Sequence, residues 1–244
     1  MEVKEKIVTL NKEELSRYSR QTILPEVGFK GQERIKAAKV LVIGAGGLGC
    51  PVLQYLSASG VGTIGIVDFD KVEIHNLHRQ ILYSLNDVGK QKALVAEQKL
   101  KASNRNINFK IFNVALTDDN AENIISDFDI VVDGSDNFLT RYLVNDVCVK
   151  TNKTLVYGTI LKFEGQLAVF NHNGSKNLRD IFPEHPNAED VPNCDENGVM
   201  GYVPGILGLN MANATLQLIL QKFESANKLF IYDLNTFKIS EINY

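Results

Sequence analysis

The stretch from Lys39 to Gln80, KVLVIGAGGLGCPVLQYLSASGVGTIGIVDFDKVEIHNLHRQ, constrains the fold of this chain more than any other. Val40-Leu41-Val42-Ile43 is a short, β-branched-rich apolar run, the pattern of a buried strand. Gly44-Ala45-Gly46-Gly47-Leu48-Gly49 follows it at once, and a helical segment follows that. A second apolar run, Thr63 to Val67, ends in Asp68. Strand, glycine turn, helix, strand and acid in this order form the layout of a mononucleotide-binding half-fold. Gly44, Gly46, Gly47 and Gly49 are therefore candidate nucleotide contacts, since a missing Cβ lets the backbone approach a phosphate or ribose. The helix N-terminus behind them favours an anion. Asp68 stands where a carboxylate can accept from ribose hydroxyls.

The residues after Asp68 separate this chain from an ordinary dehydrogenase. Asp70, Asn76, Arg79 and Gln80 crowd together without helical or strand period. A carboxylate, an amide and a guanidinium beside a glycine turn point to polyphosphate chemistry rather than hydride transfer. The competing readings are a polar surface loop and an NAD(P)-dependent oxidoreductase using the same turn. A dense polar loop beside a glycine turn favours function.

The remaining sequence alternates short apolar runs with helical segments. Strands are expected at 39–43, 63–67, 107–112, 129–133 and 154–160, with helices at 11–20, 31–38, 47–59, 90–102, 119–126, 138–151 and 204–222. Asn11 is the expected cap of the first helix. Glu164–Phe170 can turn back on 154–160, and 228–233 with 237–241 forms a hairpin around Asn235. The expected class is α/β: a doubly wound, Rossmann-like mixed sheet, parallel in the N-terminal half and antiparallel in the C-terminal half. Asn171–Asn197 is polar and turn-rich, and is expected to be a long loop with a functional or mobile role.

Composition narrows the function. The 244 residues are 44% hydrophobic, enough for a sizeable core without a linker dividing the chain. A net charge of −3, with no basic block, gives no electrostatic footprint for nucleic acid. No apolar run approaches the ~18 residues of a membrane span, so no membrane partner is expected. MEVKEKIVTLNKEEL lacks a signal-peptide core, and Cys50, Cys148 and Cys194 form no disulfide framework, so a cytoplasmic location is expected. Cys50 and Cys148 sit in helical, mainly apolar segments and read as buried packing residues. His75, His78, His172 and His185 show no ligand spacing and read as solvated.

Asp136 and Asn137 lie just beyond the strand Asp129–Asp133, where open α/β sheets bind ligands. Asp136 could hold Mg²⁺ against nucleotide phosphates. Ser135, Asp136 and Asn137 are equally suited to cap the next helix.

Several stretches together resemble the MoeB/ThiF/HesA family, relatives of the ubiquitin-activating enzymes. They are Arg17-Tyr18-Ser19-Arg20-Gln21, the Gly44–Gly49 turn, Asp68-Phe69-Asp70, Asn76-Leu77-His78-Arg79-Gln80, Val88-Gly89-Lys90-Gln91-Lys92, Asp133-Gly134-Ser135-Asp136-Asn137 and Val191-Pro192-Asn193-Cys194. They occur in the family's order and cover roughly residues 15 to 235. The resemblance implies ATP-dependent adenylation of the C-terminal carboxylate of a small ubiquitin-like sulfur carrier ending in Gly-Gly, for thiamine or molybdopterin synthesis. A same-fold enzyme acting on a peptide or RNA-linked carboxylate is the alternative. It also implies roles: Asp136 as the Mg²⁺–ATP acid, Arg20, Arg79 and Lys92 as phosphate-binding cations, and Cys194 as a residue that can link covalently to the carrier. For Cys194 a purely structural thiol is an equal reading. The arginine matching Arg20 reaches the other subunit's site in the family, which implies a homodimer.

One departure is clear. The family's two C-x-x-C pairs, which bind zinc, are missing: Asn177-Leu178-Arg179-Asp180 occupies the first position, and the chain stops at Tyr244 before the second. No zinc is expected, and the loop zinc would anchor is expected to be looser. The expected organisation is one adenylation domain over 1–244. Helices occupy 11–38, the nucleotide-binding half 39–160, and a carrier-binding, sheet-completing half 161–244 containing loop 171–197.

Overall fold

Strand β1 (Lys39–Ile43) is covered on both faces, and this places it at the centre of the molecule. In the computed structural model, which describes residues 8–185 and 198–244, Val40 and Val42 enter one apolar cluster while Leu41 and Ile43 enter another. The period of two along the strand thus supplies two cores, one on each face.

The sheet has eight strands: β1, β2 (Thr63–Val67), β3 (Asn108–Phe112), β4 (Ile130–Asp133), β5 (Thr154–Leu161), β6 (Glu164–Phe170), β7 (Lys228–Asp233) and β8 (Lys238–Asn243). Their spatial order is β3-β2-β1-β4-β5-β6-β7-β8. The first five pair in parallel, and β5 through β8 pair antiparallel. From β1 the chain winds outward to β3, then returns to β4 on the other side. The loops after β1 and β4 therefore diverge, opening a crevice at the switch point.

The α-helices among the described residues are α1 (Lys12–Arg17), α2 (Ser19–Thr22), α3 (Gly28–Ala37), α4 (Gly49–Ser59), α5 (Lys92–Ser103), α6 (Ala121–Ser126), α7 (Phe138–Lys150), α8 (Leu178–Ile181) and α9 (Tyr202–Ile219). Leu53 of α4, Ala93 of α5 and Leu207 of α9 join the core of Val40 and Val42. Ile124 of α6 and Val144 of α7 join the core of Leu41 and Ile43. Gly65 of β2 leaves room for the Phe128 ring, whose nearest atoms would collide with a Cβ there.

The structure differs from the sequence expectations at particular places. The expected helix 11–20 breaks at Tyr18, whose ring packs beneath Gly60 and whose buried hydroxyl accepts from Asn104 Nδ2 at 2.9 Å. Helix α3 begins at Gly28 rather than residue 31. The expected loop 171–197 contains α8 among its described residues. Asn177 caps α8, and Leu178 is buried with its N–H donating to Asn145 Oδ1. Arg179 forms a two-point pair with Asp146 of α7 at 2.7 Å. Tyr142 OH donates to the carbonyls of Phe182 and Glu184. Residues 171–185 are thus anchored to α7 rather than loose. His172, expected to be solvated, is half-buried against Phe223 and bonded to Thr154 Oγ1, and burial lowers its pKa. His185 is exposed, as expected, with its ring edge-on to Tyr142.

Candidate active site

The glycine turn after β1 meets the loop after β4 directly. Gly44 has φ +85°, and a Cβ there would lie 2.9 Å from Gly134 O, so only glycine fits without strain. A Cβ on Gly49 would overlap Gly44 O, so this glycine closes the turn on itself. A Cβ on Gly47 would press on Pro204 of α9 at 3.1 Å. Gly46 alone of the four is open: the nearest atom to a Cβ is Gln80 Nε2 at 3.6 Å. Three of the four candidate glycines thus serve chain packing, and Gly46 lines the free face.

Asp68 stands at the end of β2 but faces the turn. Oδ2 accepts from Ala45 N at 2.8 Å, and Oδ1 accepts from Asp70 N at 2.8 Å. Burial raises its pKa, opposed by the hydrogen bond from Ala45 and by Lys92. Each oxygen has one lone pair left, so Asp68 shapes the turn first and has capacity for a hydroxyl second. Tyr83 OH donates to Ala45 O at 2.8 Å from the other side. Cys50 Sγ also donates to that carbonyl, at 3.3 Å, and burial pushes its thiol up to about 12. Cys50 and Cys148 are both free and fully buried, so neither is a nucleophile.

The cations form two groups. Lys92, the first residue of α5, is buried and donates to Asp70 Oδ2 at 2.9 Å. Lys90, its neighbour in the motif, is exposed. Arg79 lies against Gly47, and its Nη1 donates to His75 O at 3.1 Å and to His78 Nε2 at 2.9 Å. Asn76 is buried and closes the turn that carries Arg79, accepting from Glu73 N. Gln80 is buried beneath Gly46, and its Oε1 has no hydrogen-bond partner among the described residues.

Asp136 is exposed on the loop between β4 and α7. The cap of α7 is its neighbour Asn137, whose Oδ1 accepts from Thr140 N at 2.8 Å. The Asp136 carboxylate is left out of the capping arrangement. Among the described residues no group of three or more His, Cys, Asp or Glu gathers to hold a metal ion. A single carboxylate suits Mg²⁺ bound mainly through water and phosphate oxygens.

These residues fit a nucleotide. The open face at Gly46, the unpartnered Gln80 Oε1 and Ser135 Oγ, and the Lys92 and Arg79 cations surround one switch point.

Arg20 is not part of this cluster. Its neighbour Gln21 donates to Ser59 O, at the last residue of α4, and Arg17 donates to Ser103 O, at the last residue of α5. Gly49 and Lys92 begin those helices, so α1 and α2 sit about 16 Å away, one helix length from the turn. The Arg20 side chain is exposed and makes no ion pair or hydrogen bond among the described residues. Cys194 lies outside the described residues.

Sequence reasoning missed Arg141. It is five residues beyond Asp136, a charged residue on the buried face of α7 with Tyr142, Val144 and Asn145. An arginine among apolar neighbours was the available signal. It also missed Tyr83 and Pro204, which reach the turn from distant segments.

The model of the ThiF family matches residues 18–244. The chain belongs to the ThiF family. Among its relatives, the sulfur carrier protein adenylyltransferase of Thermus thermophilus is 51% identical over 228 residues, covering 91% of this chain and 84% of that protein. The adenylyltransferase and sulfurtransferase MOCS3 of Culex quinquefasciatus is 48% identical over 214 residues, covering 88% of this ThiF-family chain and 49% of its own length. This chain spans about half the length of the MOCS3 relatives. Among solved structures, that of E. coli MccB with ATP superposes with a TM-score of 0.80 at 25% identity, covering 93% of this chain and 71% of that one. No helix among the described residues is long and apolar enough to cross a membrane.

Proposed function

We propose that this ThiF-family chain is an adenylyltransferase that uses ATP to activate the C-terminal carboxylate of a small ubiquitin-like sulfur carrier ending in Gly-Gly. The observation that supports the reading is the open Gly46 face with Arg79 and Lys92 on the segments around the glycine turn, and Asp136 exposed on the loop after β4. The 51% identity to a sulfur carrier protein adenylyltransferase supports the substrate class.

A carrier carboxylate oxygen attacks the α-phosphorus of ATP, the bond to the bridging oxygen breaks, and pyrophosphate leaves with that electron pair. The product is an acyl-adenylate, ready for sulfur to displace AMP. The reaction requires no enzyme nucleophile, only alignment and charge stabilisation. Lys92, held by Asp70 and largely shielded from water, supplies fixed positive charge with little reorganisation. Arg79 presents its guanidinium from the loop that also carries Gln80. Asp136 would hold Mg²⁺, with Asn137 beside it; the metal would neutralise phosphate charge. The buried Asp68 and Tyr83 keep the turn in shape from behind.

The site is completed across a homodimer. The position of α2 at the far end of α4 supports this, because Arg20 is too distant to serve its own chain's turn. The 244 residues act as one adenylation unit in the cytoplasm, supplying either thiamine or molybdopterin synthesis. Cys194 could then meet the activated carrier. ATP–pyrophosphate exchange with candidate carriers ending in Gly-Gly tests the reading. Exchange that depends on the carrier's terminal carboxylate supports it; stabilisation by NAD(H) and not by ATP would replace it with the oxidoreductase reading.

A further inference from the structure

Arg141 is a buried cation. It is 5% exposed, and an unpaired guanidinium in such a place would be strongly destabilising. Its hydrogen bonds go to backbone. Nη1 donates to Gly158 O of β5 at 2.7 Å, and Nη2 donates to Ser135 O. Its countercharge is Asp133, the last residue of β4, whose Oδ2 lies 3.8 Å from Nη1. The guanidinium also lies over the Tyr157 ring, 5.2 Å from its centroid. Asp133 is fully buried; its Oδ1 accepts from Ser135 N at 2.9 Å, while Oδ2 has no hydrogen-bond partner among the described residues.

The consequence lies one residue away. Ser135 is tied through its N–H to Asp133 and through its carbonyl to Arg141. Asn137 is tied to α7 by its cap. Asp136 is the single residue between these two fixed points. Its side chain is exposed and has no hydrogen bond of its own among the described residues, so its backbone is held only by the bracket on either side. Gly158, the other end of the clamp, packs so closely against Met211 of α9 that a Cβ there would collide. The planar guanidinium therefore sets the distance between β5 and the Asp136 loop, which a flexible ammonium does less well.

We infer that Arg141 is a positioning residue for Asp136: by clamping the Ser135 carbonyl to β5, it aims the Asp136 carboxylate into the switch-point crevice. The inference rests on the proposed role of Asp136 as the acid that holds Mg²⁺ with ATP. Arg141 acts through the Ser135 carbonyl and is assigned no contact with the nucleotide.

The test measures ATP binding by isothermal titration to the full chain, once in EDTA and once with Mg²⁺. The quantity read is the factor by which Mg²⁺ tightens ATP binding. Asp136→Ala should bring that factor close to one. Arg141→Lys keeps the charge opposite Asp133 but loses the two-carbonyl clamp; it should lower the factor about tenfold, as loss of an outer partner of a metal ligand does, with ATP affinity in EDTA unchanged. The Arg141→Met, Asp133→Asn double variant removes both buried charges together, which protects folding, and should show the same loss. Adding Arg141→Lys to Asp136→Ala should change the factor no further. A wild-type factor in either Arg141 variant, with Asp136→Ala defective, overturns the inference alone. So does equal weakening in EDTA and Mg²⁺, the mark of a merely structural role. A wild-type factor in Asp136→Ala overturns the metal reading of Asp136, and this inference with it.

Discussion

Asp136→Ala separates helix capping from chemistry, because the structure gives the two jobs to adjacent residues. Asn137 Oδ1 accepts from Thr140 N at 2.8 Å and is the cap of α7. Removing such a cap costs ~1 kcal/mol. For a chain of this size that lowers Tm by about 2–4 °C. Asp136 is exposed and makes no hydrogen bond with its side chain among the described residues. Its only general contribution to α7 is a favourable charge near the helix N-terminus, a few tenths of a kcal/mol. Asp136→Ala should therefore shift Tm by less than ~2 °C while abolishing ATP–pyrophosphate exchange. Asn137→Ala should lower Tm more than Asp136→Ala does. The assay pairs scanning calorimetry in EDTA without nucleotide with exchange of labelled pyrophosphate. A variant Asp136→Ala that melts as early as Asn137→Ala and still exchanges near the wild-type rate refutes the reasoning, because Asp136 would then be a cap and nothing more.

Four further expectations follow from the geometry. Gly46→Ala should fold with an unchanged Tm but lose most of the ATP-induced thermal shift, whereas Gly44→Ala should lose more than ~1 kcal/mol of stability because its φ of +85° and the nearby Gly134 carbonyl exclude a Cβ. Mixed Arg20→Ala and Asp136→Ala chains should regain part of the exchange activity that each lacks alone, since one site of the heterodimer then carries both wild-type residues; no regain despite demonstrated subunit exchange would assign Arg20 to its own chain. Burial opposes ionisation of Asp87, but hydrogen bonds from Lys99 and Ser84 outweigh it and hold its pKa at about 2 against 3.8. The native state thus gains stability from Asp87 above pH 4 and loses it as pH falls toward 2, so urea midpoints of Asp87→Asn should fall below wild type at pH 7 and converge with it near pH 2. Metal analysis of untagged protein should find no stoichiometric zinc, because three dispersed cysteines, two of them fully buried, cannot build a four-thiolate site.

The elements that the sequence determined by itself are those whose signal is local. The runs at β1 and β2 read as strands because apolar and β-branched residues recur along them, and the structure places both at the same bounds, 39–43 and 63–67. Asn11 announced the cap of α1, and the structure adds the reciprocal bond from Asn11 N to Glu14, a bond between near neighbours. The glycine turn, Asp68 and the Asp136 loop were legible because strand ends fix where ligands bind in such sheets. Tertiary structure decided what depends on distant partners. Tyr18 breaks a helix because its ring lies under Gly60, and α8 forms because Leu178 and Arg179 find α7. Three of the four glycines serve chain packing once Gly44, Gly134 and Pro204 are close together. Arg20, adjacent in motif order to the residues around the glycine turn, ends one helix length from them. Arg141 acquires its role only when β4, β5 and α7 converge, for a side chain's work is set by the groups packed around it, and no spacing along the chain encodes them.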